Sequence, residues 1–468
     1  GYLETINLKN LPNQENLSYF GNSNEANCIY NFSLPPLILY SFLFGNSKIL
    51  RRWNMTMPPA LEGTSYINFL SSHDGIGLRP LEGLVSDSDY KKLIQKLKLK
   101  KSLFRSRKIV ESRKIAIKSV SDFELLRNYS SEIKNKSISN LYELLINWEK
   151  NAKKNGTTVH WAENYEDVNK IIYKIAKKNK VKNVIKSKSM LTEESGLNNY
   201  LIKKNIKVTE TDLGEYIIQN SNEPPSHIIA PAIHKSKEQV SELFSRIHKQ
   251  KTTNNIEELT QQARENIRPY FFNADMGITG ANFLVADSGS TVIVTNEGNG
   301  RMTNTLPKVH VAVTSIEKCI SNFEELSLML RVLTRSATSQ NISNYISITT
   351  GTKQQKDLDG PKEFHVILMD VGRTKILESD TWEILKCIRC GACMNHCPVY
   401  HTIGGHPYGW VYPGPMGSIL NSSLLGNKIA GDLPYASTLC NQCGVVCPVK
   451  IPLPELMVKL RNRKYKSI

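Results

Sequence analysis

Short β-rich runs alternate with amphipathic stretches from about residue 156 onward. The runs are TTVHWA, NVIKSKS, KVTETD and SHIIAPAI, and the stretches between and after them are DVNKIIYKIAKKN, EESGLNNYLIKKN and SKEQVSELFSRIHKQ. Strands separated by helical patterns of about ten to fifteen residues are typical of βαβ units. The pattern therefore predicts a parallel sheet covered by helices.

The same domain continues to about residue 372. NFLVADSGSTVIVTNEG predicts two strands around a Ser-Gly turn, and VHVAVTS, YISITTG and EFHVILMDVG predict further buried strands. We therefore assign residues 156–372 to one α/β domain. Residues 91–155 are predicted to form a basic helical region before it, because FELLRNYSSEIKNKSISNLYELLINWEKNAKKNG carries apolar residues at helical spacing and ends on glycine.

The first 90 residues do not continue this alternation. Their segments YFGNSNEANCIYNFSLPPLILYSFLFG and PPALEGTSYINFLSSHDGIGLRPLEGL resemble part of the catalytic barrel of a sucrose-phosphorylase-like α-glucosidase family. The resemblance makes YINFL a barrel strand and puts Ser72, His73 and Asp74 at its carboxyl end. Glycoside chemistry of this kind needs two carboxylates beside one bond, and the strands that would carry the nucleophile and the acid are missing. We expect residues 1–90 to be a non-catalytic barrel fragment.

Cysteine spacing is the strongest chemical signal in the chain. Seven of the nine cysteines lie within residues 387–447, which indicates metal sites and a reducing, cytoplasmic setting. Cys387, Cys390, Cys393 and Cys397 follow the spacing C-x2-C-x2-C-x3-C-P, in which three thiolates hold one [4Fe-4S] cluster and the fourth cysteine binds another cluster. Zinc is the alternative, but zinc sites usually pair C-x2-C with a distant second pair.

A second motif repeats this spacing with one cysteine missing. Cys440, Cys443 and Cys447 match its last three positions, and Ser437 stands where the first cysteine belongs. Crossed ligation then predicts two clusters. Cluster 1 is bound by Cys387, Cys390, Cys393 and Cys447, and cluster 2 by Cys397, Cys440 and Cys443. The open corner of cluster 2 has three possible states, which are a [4Fe-4S] cluster with a non-cysteine ligand, a [3Fe-4S] cluster, or an iron that binds substrate.

Other polar residues are weaker candidates for a cluster ligand or for a small-anion site. His401 and His406, between the two cysteine motifs, are expected to be hydrogen-bonding neighbours, and Ser437 or solvent ranks above either histidine as the eighth ligand. Two polar segments also follow predicted strands in the α/β domain, and each is either a small-anion site or an ordinary turn. The first contains Ser187, Lys188, Ser189, Thr192, Glu193 and Glu194, and the second contains Asn296, Glu297, Gly298, Asn299, Gly300 and Arg301.

From about residue 95 to its end the chain resembles the lactate utilisation protein B family. The resemblance rests on the two cysteine motifs and on the blocks VHWAE, SKSMLTEESGLN, TDLGEYIIQ, PPSHIIAPAIHK, GITGANFLVADSGS, TNEGNGRMTNTLPKVHVAV and GWVYPGPMG. It implies a NagB/RpiA/CoA-transferase-like LUD domain, then a helical ferredoxin-type module over residues 373–468. It also implies that the seven cysteines are the cluster ligands, with the same gap at Ser437. The implied partners are a companion iron-sulfur subunit and a second LUD-domain protein.

Composition and hydropathy bear on two further classes of protein, nucleic-acid binders and membrane-spanning proteins. The net charge of +17 comes mainly from lysines dispersed through segments such as KKNKVKNVIKSK, without the interleaved aromatic residues of single-strand binders, so we expect solvated helix faces and no nucleic-acid partner. LPPLILYSFLF, the longest apolar stretch, is too short to span a bilayer.

The leading interpretation is an electron-transfer subunit of a complex that oxidises L-lactate to pyruvate. The chain shows no flavin or nicotinamide fingerprint, so it is not expected to act alone, and its catalytic residues are unknown. One alternative is an iron-sulfur oxidoreductase that binds the 2-hydroxy acid at the open corner of cluster 2. A glycoside phosphorylase is a further alternative, for which the catalytic residues are missing.

Overall fold

The computed structural model describes residues 5–6, 28–60, 64–70, 76, 78–81, 83–99 and 102–466. The chain divides into two compact units, residues 1–101 and residues 102–468. Ser72, His73 and Asp74, singled out by the barrel resemblance, lie outside the described residues. No helix within the described ranges is long and apolar enough to cross a membrane.

The first unit contains three short parallel strands in the order β1-β2-β3. They are β1 (Thr5–Ile6), β2 (Cys28–Tyr30) and β3 (Ser65–Ile67), and the helices are α1 (Leu34–Phe44), α2 (Lys48–Thr56) and α3 (Asp87–Leu99). Leu37, Trp53 and Leu93 are buried in its core. Parallel strands with intervening helices are the local arrangement of a β/α barrel, and the barrel fragment itself stays a prediction.

A six-stranded parallel sheet is the centre of the second unit. Its strands are β4 (Thr157–Ala162), β5 (Asn183–Lys186), β6 (Lys207–Glu210), β7 (Met276–Gly280), β10 (Val309–Ser315) and β13 (Glu363–Met369). Their order is β4-β13-β10-β7-β5-β6, and all neighbours are parallel. Val311 and Val313 of β10 join the core on one face and Ala312 the core on the other. Burial of both faces explains the near-continuous apolar runs, and the α/β prediction with a parallel sheet is confirmed.

The second unit also contains a smaller mixed sheet, whose strands alternate along the sequence with those of the large sheet. Its strands are β8 (Phe283–Val285), β9 (Ser290–Thr295), β11 (Cys319–Ile320) and β12 (Tyr345–Thr349), in the order β11-β8-β9-β12. β8 and β9 form an antiparallel pair, as the Ser-Gly turn predicted. Gly289 in that turn has φ +66°, and a Cβ there would lie 2.2 Å from the backbone nitrogen of Ala152, so the turn requires glycine.

Helices flank the sheets of the second unit. They are α4 (Ser102–Lys118), α5 (Phe123–Ser139), α6 (Leu141–Lys154), α7 (Tyr165–Lys178), α8 (Met190–Glu194), α9 (Leu197–Ile202), α10 (Leu213–Ser221), α11 (Lys237–His248), α12 (Ile256–Phe272), α13 (Asn299–Thr305) and α14 (Phe323–Thr338). The helical pattern EESGLNNYLIKKN is split into α8 and α9, because Gly196 adopts a left-handed conformation with φ +62°.

One predicted strand is wrong. SHIIAPAI forms turns and bends and no strand. The Ser226 carbonyl accepts a hydrogen bond from the Tyr400 hydroxyl at 2.7 Å, and His227 Nε2 lies 3.0 Å from Asn395 Oδ1. Pro231 has no N–H to donate to a strand ladder. The polar groups of this segment are therefore satisfied partly by the cysteine-rich part of the chain and partly within the segment, where His227 Nδ1 accepts from the amides of Ile229 and Ala230, instead of by a sheet.

The cysteine-rich part is helical and shares a core with α5 and α14. Its helices are α15 (Arg373–Leu377), α16 (Ala392–Asn395), α17 (Pro398–Ile403), α18 (Gly414–Ala430), α19 (Gln442–Val446) and α20 (Leu453–Lys466). Met394, Leu420 and Leu456 pack in the same buried cluster as Leu330 and Leu333 of α14. This continuous core holds the cysteine loops against the α/β domain.

Candidate metal centre and neighbouring cavity

The first cysteine loop is wound tightly by two left-handed residues. Arg389 has φ +60° and Gly391 has φ +75°, so the chain turns twice between Cys387 and Cys393. The left-handed conformation costs a non-glycine residue roughly 1–2 kcal/mol, and the surrounding structure must hold Arg389 there. The result is a loop that carries Cys387, Cys390 and Cys393 around one space.

That space is a small cavity that also receives Cys447 from the second motif. Its lining consists of Cys387, Ile388, Cys390, Gly391, Cys393, Met416, Cys447, Pro448, Val449, Ile451 and Leu453. We call Cys387, Cys390, Cys393 and Cys447 the inner group. Cys447 is 60 positions beyond Cys387 in the sequence and lines the same cavity as the first loop. Its assignment to cluster 1 by crossed ligation stays a prediction.

Backbone amides and burial determine the chemistry of the inner group. The amide of Arg389 donates to Cys387 Sγ and that of Ile451 donates to Cys447 Sγ, both at 3.4 Å. Burial, together with the nearby Cys447 thiol, raises the pKa of the Cys390 thiol to about 12. A metal that binds here must displace these protons, and the amide donors then stabilise thiolate charge.

The other three cysteines form a second set, which we call the outer group, consisting of Cys397, Cys440 and Cys443. Burial raises the pKa of Cys443 to about 12, with the neighbouring thiols of Cys397 and Cys440 contributing. Cys397 immediately precedes α17, and burial raises the pKa of its thiol. Cys440 is exposed and stands between two left-handed residues, Leu439 and Asn441. The outer group is therefore open to solvent at Cys440.

Both groups consist of thiols, the donors that iron-sulfur clusters use. Among the residues that the structure describes, no three His, Cys, Asp or Glu side chains converge closely enough to hold one metal ion. The inner thiols instead line a cavity with apolar walls. A cubane spreads its thiolates over separate irons, and soft thiolate donors with amide hydrogen bonds are the environment that such clusters use.

The candidate eighth ligands all have other partners. The Ser437 hydroxyl accepts a hydrogen bond from the Leu439 amide at 3.1 Å. His401 Nε2 lies 2.6 Å from the carbonyl of Asn395, and His406 Nε2 lies 3.0 Å from the carbonyl of Pro224. The two histidines thus hydrogen-bond to backbone, as expected, and the ligand at the open corner stays a prediction.

The two polar segments of the α/β domain meet at one cavity of 290 Å³. Ser187, Lys188, Ser189, Asn296, Glu297 and Asn299 line it, whereas Thr192, Glu193, Glu194, Gly298, Gly300 and Arg301 do not. Thr192 and Glu193 contact the buried Lys186 ammonium, at 3.0 and 2.8 Å. Half of the residues in the two segments therefore line one cavity, and anion binding by them stays a prediction.

A buried charge network that the sequence did not reveal connects the sheet with the inner group. Arg373 donates to both carboxylate oxygens of Glu194, at 2.8 and 3.0 Å, and its Nε lies 3.3 Å from Glu317. Arg389 lies 3.3 Å from the other oxygen of Glu317 and stacks 5.0 Å from the ring of Tyr412. The Tyr412 hydroxyl donates to Glu194. Burial would raise the pKa of Glu317, but the two guanidinium groups hold it below its usual range.

The position of Arg389 inside CIRCGAC is the one sequence signal for this network, since a cation next to cluster cysteines stands out in the motif itself. Its partners come from distant segments. Glu194, Glu317 and Arg373 are polar residues in otherwise ordinary surroundings, and only the fold brings them together.

Comparisons with known proteins agree with the two-part organisation. The LUD domain family model matches residues 145–369, and the 4Fe-4S dicluster domain model matches residues 383–451. A protein named "Lactate utilization protein B" from Bacillus velezensis is 44% identical over 348 residues, which cover 74% of this chain and 73% of that protein. The Bacillus subtilis protein of the same name is 45% identical with the same coverage.

A solved structure of a DUF162 family protein from Deinococcus radiodurans covers 49% of this chain and 98% of its own. It is 12% identical with a TM-score of 0.28, a likeness too weak to bear on the fold.

Proposed function

This chain belongs to the lactate utilization protein B family, and we propose that it is the iron-sulfur electron-transfer subunit of a system that oxidises L-lactate to pyruvate. The observation that carries the proposal is the gathering of seven cysteines into an inner and an outer group within one module packed on the α/β domain. Oxidation of a 2-hydroxy acid releases two electrons, and a pair of one-electron centres is suited to receive them.

The inner group would hold cluster 1 and the outer group cluster 2. When bound, such clusters supply reversible one-electron transfer. The residues of this chain supply the setting, because the amides of Arg389 and Ile451 neutralise thiolate charge and Met416 and Leu453 keep water from the inner group.

The difference in exposure supports a direction for the electrons. The inner group adjoins Arg389, which also lines the cavity of the α/β domain, whereas the outer group reaches the surface at Cys440. Leu439 and Val445 add exposed apolar surface near Cys440, 39% and 57% exposed. We infer that electrons are taken up on the side of the α/β domain and delivered at the outer surface to a companion iron-sulfur subunit. A second LUD-domain protein would complete the system.

We further propose that the α/β domain has the NagB/RpiA/CoA-transferase-like fold over residues 156–372, with the ferredoxin-type module over residues 373–468. The six-stranded parallel sheet, whose last strand in the sequence ends at Met369, supports this division. Residues 91–155 would be a helical region and residues 1–90 a non-catalytic barrel fragment.

Anaerobic purification of the full chain, followed by iron and sulfide counting and EPR, tests the proposal. Two clusters with about seven or eight irons in total are expected. Added companion proteins of the same system and L-lactate should reduce these clusters, whereas L-lactate without the companions should not. A single zinc ion with no acid-labile sulfide, or clusters that stay oxidised with all companions present, would contradict it.

A further inference from the structure

The 290 Å³ cavity lies where the carboxyl ends of the parallel strands meet the first cysteine loop. Residues that directly follow β5 and β7 line one side, and Arg389 and Tyr412 line another. Ligands of open α/β sheets bind beyond the carboxyl ends of the strands. The volume is at the small end of the range for ligand pockets, so the cavity has room for a small organic anion.

Three cations line this cavity. They are Lys188, Lys318 and Arg389, and the carboxylates in the lining are Asp212 and Glu297. Lys188 Nζ donates to the carbonyl of Ile229 at 2.5 Å, and within the described ranges no carboxylate forms an ion pair with it. Such an ammonium retains donors for an anion, because it has three N–H groups and only one is used.

The surroundings of Lys318 and Arg389 bear most directly on whether the cavity binds an anion. Within the described part of the chain Lys318 makes no side-chain hydrogen bond or ion pair, and burial followed by the charge of Arg389 lowers its pKa to about 8. Arg389 is only 8% exposed, and its Nη1 is buried without a hydrogen-bond partner. The Lys318 ammonium therefore retains its N–H donors for an anion, and Arg389, which is ion-paired with Glu317, adds positive charge to the same lining.

We propose that this cavity binds a short-chain 2-hydroxy acid, with Lys188, Lys318 and Arg389 facing its carboxylate. The anion class follows from the three cations, and the assignment to 2-hydroxy acids rests on the proposed function. Hydroxyl and amide groups in the lining, on Ser187, Ser189 and Asn299, offer partners for the 2-hydroxyl. Arg389 stands between Cys387 and Cys390, so the ligand would lie beside the inner group and not at the open corner of cluster 2.

Equilibrium binding of L-lactate to the anaerobically purified full chain tests the site. Lys188→Gln and Lys318→Gln should each weaken binding about ten-fold or more, because each removes a charged hydrogen-bond donor. Lys251→Gln is the matched control, since Lys251 is an exposed lysine outside the cavity lining. Iron and sulfide content, measured for every variant, shows that each one folds and carries its clusters.

Different results would contradict the binding site and the proposed function. Equal L-lactate affinity in wild type, Lys188→Gln and Lys318→Gln, or no binding to wild type at millimolar concentration, would overturn the site while leaving the clusters in place. Inorganic phosphate that binds as tightly as L-lactate and is lost in the same two variants would overturn the 2-hydroxy acid class. Loss of the electron-transfer role, in contrast, would appear as clusters that companion proteins and L-lactate do not reduce.

Discussion

The inner and outer groups come from two copies of one cysteine motif, yet their surroundings differ. The inner group has four thiols, apolar walls and a carbonyl of Cys447 that accepts two hydrogen bonds from the guanidinium of Arg127, at 3.0 and 2.8 Å. The outer group has three thiols, and its Cys440 is exposed. Cluster potential depends on charge, hydrogen bonds and solvent. One motif repeated in a chain can therefore yield two centres with different tasks.

Arginines account for part of the difference. Arg113 of α4 donates to the carbonyl of Val446 at 2.8 Å, and Arg127 of α5 donates to that of Cys447. Arg389 lies within the first loop itself. These cations favour negative charge on the inner group, and the two helices that carry Arg113 and Arg127 belong to the region before the α/β domain. The predicted helical region thus has a role in shaping the inner group.

Replacing single cysteines should have the largest effect, because each replacement removes one of the two clusters. Cys390→Ser and Cys447→Ser should remove the same cluster and about half of the iron, because both thiols line the inner cavity. Cys443→Ser should remove the other cluster. EPR of the dithionite-reduced proteins distinguishes the two signals. If Cys447→Ser removed the signal that Cys443→Ser removes, the crossed arrangement would be wrong.

Arg373→Met should have the next largest effect, because it leaves Glu194 and Glu317 as buried carboxylates without their main partner. Breaking a buried pair in this way lowers the free energy of unfolding by about 3–5 kcal/mol. Chemical denaturation under anaerobic conditions measures the change. The matched control is Arg264→Met, an exposed arginine of α12, which should change stability little. Equal losses in both variants would show that the network is not what stabilises this junction.

Ser437→Cys should reduce the difference between the groups, because it gives the outer group a fourth thiol. Mild oxidation of wild type should release one iron from the outer cluster and yield a [3Fe-4S] EPR signal, whereas the variant should resist this loss, because a thiolate binds iron better than a hydroxyl. Thr438→Cys, one residue along, is the control and should behave as wild type. L-lactate that perturbed the outer signal would instead favour substrate binding at the open corner.

Arg127→Gln should have the smallest effect of the four. It removes a positive charge beside Cys447 while an amide can still donate to the Cys447 carbonyl. The reduction potential of the inner cluster should fall modestly, because the reduced state loses a nearby cation, and that of the outer cluster should stay constant. Redox titration followed by EPR measures both. A shift confined to the outer cluster would reverse the assignment of the two environments.

Much of this protein could be predicted from its sequence because the relevant signals are local. TTVHWA and VHVAVTS coincide with β4 and β10. β10 is buried along its whole length and has the near-continuous apolar run of a strand covered on both faces. The cysteine spacing reports cluster chemistry because ligands on one loop must be separated by fixed numbers of residues. The alternation of strands and helices likewise predicted the parallel sheet.

Only the tertiary structure decided which distant residues meet. SHIIAPAI has the apolar character of a strand, but its backbone groups bond to Tyr400 and its neighbours, so it is a loop. Lys188, Lys318 and Arg389 are each separated by 70 or more positions and still line one cavity. The exposure of Cys440 and the enclosure of Cys390 follow from what packs over each loop. Burial and long-range pairing depend on how the whole chain packs, whereas cysteine spacing and hydrophobic periodicity depend only on residues close together in the sequence.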